Sequence, residues 1–466
     1  MSRRGSQGSV DARPRSWRSR LRRLLPTAGR PARAVVAGFA MAVGVGTALL
    51  SLPVAAASRE STDFVHALFT ATSAVSITGL AVVDTGSHWS TFGQVVILVL
   101  IQAGGLGIMT LASILGLLVS RRLGLGMELT AQRETRSLQL GDVRRVVIGV
   151  IRLSLLFEVV IAVVLGARLL IAYDYSPGDA VYSGIFHSVA SFNNAGFSLH
   201  SDSMTRFVAD PWISLTVSLA VIAGGLGFPV LFEVGRRLRG PHRWSMHAKI
   251  TLGATALLLL IGFVFITASE WRNEHTMGGF GVPTKLLAGF FAAVMPRSGG
   301  LNSVDVGEMT SASLLVQDVL MFIGGGSGST AGGIKVTTFA LLAFVIVAEI
   351  RGEPTVHVMG RRLASSVQRQ ALTVALLSVG LVMLTTITLL SITPFSLDEV
   401  LFESISAVAT VGLSTGITAD LPPIAQVLMS ALMFIGRLGP VTLAAALALR
   451  DRPRRYELPE ERPIVG

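Results

Sequence analysis

Apolar segments near residues 63–75, 179–191, 284–295 and 397–409 are each only about 12–13 residues long. A helix needs about 20 residues to cross hydrocarbon, so none of these can span a bilayer. Each lies between two longer apolar runs. The long runs fall near 34–53, 92–118, 146–172, 211–234, 247–267, 311–349, 368–392 and 422–448. The order long segment, half-length segment, polar loop with glycine, long segment therefore occurs four times. Such a chain has few folds open to it, because irregular backbone survives at membrane depth only when buried in protein or lining water.

Composition agrees with a membrane location. Hydrophobic residues make up 51% of the 466 and charged residues 14%, where a soluble domain carries roughly 25% charged. An integral, polytopic membrane protein is expected. There is no cysteine, which excludes disulfides, thiolate metal sites and cysteine catalysis.

The repeat is written in residues as well as in hydropathy. A glycine follows each half-length segment: Gly79 in SITGL, Gly196 in NNAGF, Gly300 in SGGLN and Gly412 in TVGLS. Then, 24 to 28 residues later, come QAGGLG (102–107), IAGGLG (222–227), FIGGGS (322–327) and FIGRLG (434–439). Two signals in the same order, four times over, define an internal repeat. The chain divides into a basic tail (1–34), repeats at 35–118, 146–235, 247–349 and 366–449, and a C-terminal tail (450–466).

Charge sets the expected orientation. Residues 1–33 hold ten arginines and one acid, a net +9 of the chain's +11. Further basic clusters at 121–122, 133–145, 236–243, 351–362 and 450–455 fall on the same side as that tail. By the positive-inside rule this side, with both termini, is cytoplasmic. The run 34–52 followed by PVAAAS also has the look of a signal peptide, but it is longer than the usual h-region and reads as an uncleaved first helix. Acids such as Asp84, Asp202, Asp210, Glu270 and Asp398 fall on the outer side. They form either a cation-concentrating mouth or ordinary solvated loops. The basic tail suits anionic lipid headgroups, and nothing else in the chain reads nucleic acid.

The short segments carry the chemistry. A half helix presents its C-terminal carbonyls, about half a negative charge, to whatever lies beyond it. Glycine permits positive φ, so that successive carbonyls turn toward one axis, and rings of carbonyl oxygens replace the hydration shell of a cation. The candidate ion-binding residues are Ile77, Thr78 and Gly79; Asn194, Ala195 and Gly196; Ser298, Gly299 and Gly300; and Thr410, Val411 and Gly412. Ser76 and Asn193 are further small polar anchors. Asp63, Asp179 and Ser396 are expected to cap the half helices, with Ser396 and Glu399 forming a capping box. The third opens on Pro283 and Thr284.

A second candidate element interrupts a long segment. GGGSGSTAGGIKV (324–336) is too rich in glycine and serine to hold a helix. A plug below the ring, able to swing aside, would use Gly324, Gly325, Gly326, Ser327, Gly328, Ser329, Thr330, Gly332, Gly333 and Lys335. Arg437 stands where the other repeats have Gly105, Gly225 and Gly325. An arginine at that depth is a functional candidate by default. It is read as an electrostatic barrier, a partner of the loop's carbonyls, or one half of a structural ion pair with Glu158. Lys335 has a similar choice, with snorkelling to the cytoplasmic face as the alternative.

These residues resemble the Trk/Ktr/HKT superfamily of potassium transporters, over about 35 to 450, most specifically in GGGSGSTAGGIKV and FIGRLGPVTL (434–443). The resemblance implies an all-α membrane protein of four M1–P–M2 repeats, eight transmembrane helices plus four re-entrant pore helices around a central ion pore. It is nearest to the Ktr-type membrane subunit. It further implies K⁺ as substrate, Na⁺ as a candidate activator and no covalently bound cofactor. The implied assembly is a homodimer in the plasma membrane, gated by a cytosolic nucleotide-binding ring of RCK/KTN type from a separate chain. Gly299 departs from the alanine usual in that family, and Arg297 lies close by.

Other classes fit less well. GGSG (325–328) matches the GxSG of intramembrane serine proteases, but the histidine that follows, His357, lies in a basic loop. GSTAGGIK lacks the GxxxxGK[ST] order of a phosphate loop. An alternating-access symporter coupled to Na⁺ or H⁺ would also use broken helices, though usually in inverted repeats. It remains the alternative.

Overall fold

The computed structural model describes residues 29–125, 140–236 and 244–449. Most of the arginine-rich tail, the C-terminal tail and much of the basic clusters lie outside the described residues. Helices dominate. α1 (Gly29–Leu50), the short α2 (Phe64–Ser76) and α3 (Thr91–Leu125) come first. α4 (Leu140–Ala172), the short α5 (Pro177–Phe192), α6 (Pro211–Leu226) and α7 (Phe228–Arg236) follow. α8 (Met246–Glu270), the short α9 (Val282–Val294), α10 (Ser311–Phe322) and α11 (Val336–Ile350) come next. α12 (Ser365–Ile392), the short α13 (Leu397–Val408) and α14 (Pro423–Leu449) are the last helices among the described residues. Among the described residues an all-α fold meets one exception: β1 (His357–Val358) pairs antiparallel with β2 (Arg361–Arg362) in the loop between α11 and α12.

Among the described residues four helical windows are long and apolar enough to cross a bilayer: Thr91–Thr110, Val146–Ala172, Met246–Glu270 and Ser365–Ile392. The bent pair α6–α7 makes a fifth if counted as one span. α4 and α12 leave Leu156, Val159, Val163, Leu376, Leu384 and Ile387 exposed. Apolar surface on that scale is costly in water and at home in lipid. The chain is an integral membrane protein.

The short helices begin where side chains can satisfy their first backbone donors. Asp63 accepts from Val65 N at 2.9 Å. At α5 the cap is Ser176 and not Asp179: Pro177 occupies the first turn, and Ser176 Oγ accepts from Asp179 N at 3.2 Å while donating to its Oδ2 at 2.7 Å. Proline's preset φ moves the start forward and leaves Asp179 as the reciprocal partner. α9 opens on Gly281 with proline in its first turn. At α13 the Ser396–Glu399 capping box is formed, with bonds of 2.8 and 3.4 Å.

The run 211–234 is not one straight helix. It breaks at Gly227 (φ 89°) and turns by 101°. A side chain at Gly227 would lie 2.8 Å from Ser327 O, so the 324–335 segment occupies the inside of the bend. Hydropathy does not register a break of this kind, because the apolar run continues through it.

The helices pack in a cycle. α5 lies on α3, α9 on α6, α13 on α10, and α2 on α14, which closes the circle. Each short helix therefore touches the helix that ends the preceding unit. The glycine clusters make room for a second contact, between a short helix and the long helix of its own unit. A Cβ on Gly104 would stand 2.1 Å from Val75 O, one on Gly224 2.0 Å from Phe192 O, and one on Gly436 2.1 Å from Val408 O. In each case helix backbone presses directly on the carbonyl end of a short helix, which only glycine allows.

Candidate functional site

The loops leaving the four short helices share one backbone form. φ is positive at each ring glycine, 95° at Gly79, 69° at Gly196, 70° at Gly300 and 96° at Gly412. It is also positive two residues earlier, at Ile77 (54°), Asn194 (58°), Ser298 (80°) and Thr410 (49°). The residues between, Thr78, Ala195, Gly299 and Val411, are not. Alternation of this kind turns neighbouring carbonyls toward one side, whereas a strand would alternate them. Branched Ile77 and Thr410 in the left-handed region cost about 1–3 kcal/mol each, which persists only where the surroundings over-determine it.

The four loops meet. A Cβ on Gly79 would lie 2.5 Å from Ala195 O, one on Gly300 2.3 Å from Val411 O, and one on Gly412 2.1 Å from Thr78 O. A Cβ on Gly196 would lie 3.1 Å from both Gly79 Cα and Gly300 Cα. Segments more than 300 residues apart in sequence thus close one ring of glycine backbone and carbonyl oxygen. All twelve candidate ion-binding residues are in these loops, and Ile77, Thr78, Asn194, Ala195, Thr410 and Val411 are fully buried.

The third loop is held differently. Thr78 N, Ala195 N and Val411 N each bond the carbonyl five residues back, at 2.8 to 2.9 Å. Gly299 N instead reaches Met295 O, four residues back, at 2.7 Å. A Cβ on Gly299 would sit 2.6 Å from Met295 Sδ and 3.0 Å from Val221 Cγ1, so the tighter turn leaves no space for alanine unless Met295 moves.

The glycine-rich segment packs against one side of this ring. Ser298 Oγ donates to Thr410 O at 2.9 Å and accepts from Gly332 N at 3.0 Å. Thr330 Oγ1 lies 3.3 Å from the Asn194 side-chain amide. Backbone bonds strap the segment to the α6–α7 bend: Gly326 N to Gly225 O (2.8 Å), Thr330 N to Gly224 O (3.3 Å) and Phe228 N to Gly328 O (3.3 Å). Arg297 Nη2 donates to Gly324 O at 3.1 Å, and Ser329 Oγ to Gly326 O at 2.6 Å. Ser327 Oγ lies 3.2 Å from Thr337 Oγ1. The two ends of the segment are joined at a neck, with Val336 N bonded to Gly325 O and Gly324 N to Ile334 O.

Both candidate cations of this region face inward. Lys335 Nζ donates to Ala331 O at 2.6 Å, so it caps the segment and does not snorkel away. Arg437 is buried, and its Nε and Nη2 have no hydrogen-bond partner among the described residues. Of the three readings of Arg437, the ion pair with Glu158 is not formed. That carboxylate accepts from Gln102 Nε2 (3.0 Å) and Asn193 Nδ2 (3.2 Å), which hold it behind the second loop. Lys335 and Arg437 are near enough to feel each other's charge.

Several acids expected at an outer mouth are engaged in structural bonds. Asp202 pairs with Arg206 at 2.7 Å. Asp210 pairs with Arg168 at 2.7 Å and accepts from the Tyr173 hydroxyl at 3.0 Å. Burial and that hydrogen bond push the Tyr173 phenol up to about 12. Glu270 collects Thr310 N, Thr310 Oγ1, Ser313 Oγ, Thr276 Oγ1 and Asn273 Nδ2. Two buried residues that no sequence pattern singled out, His187 and Glu403, bond the outgoing limbs of the second and fourth loops. Register against the ring glycine was the available signal: each stands nine residues before it.

A membrane protein of cyclically packed helices, with its buried loops closed into a carbonyl ring, is by class a transport protein. Over residues 17–453 the chain matches the TrkH family, described as a cation transport protein, and it belongs to that family within the Trk/Ktr superfamily. The family is one of transporters and not of enzymes. The chain is 40% identical over 440 residues to the Ktr system potassium uptake protein B of Vibrio alginolyticus, covering 94% of this chain and 95% of the relative. It is 37% identical over 428 residues to the protein of the same name from Bacillus subtilis, covering 91% and 94%. In fold it is similar to the potassium transporter TrkH from Vibrio parahaemolyticus, with a TM-score of 0.70 at 17% identity, over 90% of this chain and 84% of that one.

Proposed function

We propose that this chain is the ion-conducting transmembrane subunit of a potassium uptake system and carries K⁺ into the cell through the glycine ring. The observation that carries this reading is the mutual contact of Gly79, Gly196, Gly300 and Gly412 with the carbonyls of Thr78, Ala195 and Val411. K⁺ must shed water to pass a narrow site, and fixed carbonyl oxygens replace that shell. Four short-helix C-termini, each about half a negative charge, add to the attraction. The names of the relatives, potassium uptake proteins of a Ktr system, support K⁺ as substrate.

In this reading the protein has eight transmembrane helices and four re-entrant pore helices, lies in the plasma membrane and has both termini in the cytoplasm. The 324–335 segment, with Lys335 and Arg437, is the gate. The chain works as a homodimer, and a cytosolic nucleotide-binding ring of RCK/KTN type, from another chain, moves that gate. Na⁺ acts as an activator and not as the main cargo.

The test is rubidium tracer flux into liposomes that hold only this chain, with K⁺ or Na⁺ as competitor, beside Gly412→Ser. Flux blocked by K⁺ more than by Na⁺, with that preference lost in the variant, is the expected result. Flux that requires a Na⁺ or H⁺ gradient and ignores the substitution would replace the channel with the symporter.

A further inference from the structure

The four ring loops are not supported alike. The side chain nine residues before each ring glycine is Thr70, His187, Phe291 and Glu403 in turn. Those of the second and fourth short helices reach past the glycine to the limb that leaves it. Glu403 Oε1 accepts from Thr415 N at 3.3 Å and from Ser414 Oγ, and its Oε2 accepts from Thr418 Oγ1 at 2.9 Å. His187 Nδ1 stands 2.8 Å from Ser183 O. A carbonyl can only accept, so Nδ1 carries the proton and Nε2 is left as an acceptor. Nε2 takes Leu199 N at 3.3 Å and lies 3.2 Å from Ser198 Oγ.

The correspondence is positional. Leu199 and Thr415 each lie three residues after their ring glycine, and Ser198 and Ser414 two after. A carboxylate and an imidazole therefore perform the same contact on the same backbone N–H. In the first repeat Thr70 has an unpartnered buried hydroxyl, and in the third Phe291 has no polar atom to offer. Gly196 touches Gly79 and Gly300, while Gly412 touches the other flanks of both, so the supported loops sit at opposite corners of the ring.

We infer that Glu403 and His187 are matched positioning residues that pin two opposite corners of the ring and so fix the carbonyls of Val411 and Ala195. His187 is 3% exposed and Glu403 fully buried, so water does not replace either acceptor. Without it the limb N–H is left unpaired in a dry site and the limb moves to find a partner. A ring that selects by carbonyl position is sensitive to that movement. This inference rests on the ring being the K⁺ filter proposed above.

The experiment compares K⁺ and Na⁺ block of rubidium flux in full-length chain for Glu403→Leu and His187→Phe, which remove the acceptor, and Glu403→Gln and His187→Gln, which keep an oxygen near its place. The acceptor-free variants are expected to lose about tenfold in K⁺ over Na⁺ preference, and the glutamine variants to stay within about twofold of the parent. Acceptor-free variants that keep the parent's preference would overturn the inference, as would glutamine variants that lose as much. Gly412→Ser is run beside them. If it too leaves the preference intact, the filter reading falls. If it alone abolishes the preference, only the positioning role falls. A measurement on the unaltered chain guards against variants that do not fold: the amides of Leu199 and Thr415 should exchange with deuterium about tenfold more slowly than those of Val82 and Ser303, their counterparts in the first and third loops. Equal exchange at all four would overturn the inference.

Discussion

The ring loops and the 324–335 segment are both glycine-rich and both buried, yet they use glycine for different reasons. In the ring, each glycine has a φ between 69° and 96°, a conformation that side-chain-bearing residues resist. In the segment Gly328 (77°) and Gly333 (67°) share that conformation, but Gly324, Gly325, Gly326 and Gly332 have no positive φ and are required by space alone, since a Cβ on any of them would fall within 2.5 Å of a neighbouring atom. Their supports differ in the same way. Gly79 N and Gly412 N are held by Ser73 Oγ (3.0 Å) and Ser406 Oγ (3.1 Å) of their own short helices. The segment's bonds instead go largely to other elements, to Gly224, Gly225, Phe228, Arg297 and Ser298. The first and fourth ring loops are braced from their own short helices, whereas the segment is seated by neighbours and can be unseated by exchanging those bonds.

Gly412→Ser should break this contrast most severely. At φ 96° and with Thr78 O at 2.1 Å from the new Cβ, the ring cannot close, at a cost of about 2–4 kcal/mol. K⁺ over Na⁺ preference in the flux assay is expected to disappear, and a folded variant that keeps it would end the distinction. Gly332→Ala tests the other side. Its new methyl would collide with Thr410 Oγ1 (2.0 Å) and Ala409 O (2.1 Å), so the segment cannot seat against the ring. Flux without any partner protein should rise by about tenfold while the ion preference stays. A loss of preference in step with that rise would mean that ring and segment move as one body.

A smaller effect is expected where neither region is touched. Asp210→Asn removes the charge that holds Arg168 but keeps the cap on α6. It should cost about 1–3 kcal/mol, seen as a melting temperature lower by several degrees, with flux and preference unchanged. The smallest effect concerns pH. Burial, reinforced by Arg206, holds His200 down at about 4 from an ordinary 6.5. The folded state favours the neutral ring, so this stability is present above about pH 6.5 and is lost as pH falls toward 4. Melting curves across that interval should slope accordingly, and His200→Gln should flatten them.

The short helices were legible because each is an apolar run of helical length bounded by a cap and a glycine. Gly79, Gly196, Gly300 and Gly412 could be picked out for the same reason, and so could the helix-breaking composition of 324–335. Hydropathy missed the bend at Gly227 because apolarity continues through it; the local signal was Gly227 followed by Pro229, and the 324–335 segment lies against the turn. The choice among the three readings of Arg437 was not open to sequence, because two buried charges of opposite sign need not face each other. In the fold the Glu158 carboxylate is bonded by Gln102 and Asn193 instead. Nor could the outer acids be sorted in advance, because whether Asp210 is free or bound depends on Arg168, 42 residues away.

What the amino-acid order determined by itself is local: where apolar runs stop, which residues cap them, and where left-handed backbone is needed. These depend on neighbours within a few positions, and period, length and composition report them. What the folded chain alone decided is which distant groups face each other. The closing of four loops into one ring, the seating of 324–335 against it, and the matching of a glutamate with a histidine at equivalent posts are of this kind. Each turns on contacts between segments far apart in sequence, and no local pattern encodes the few ångströms that separate a bonded pair from an unpaired one.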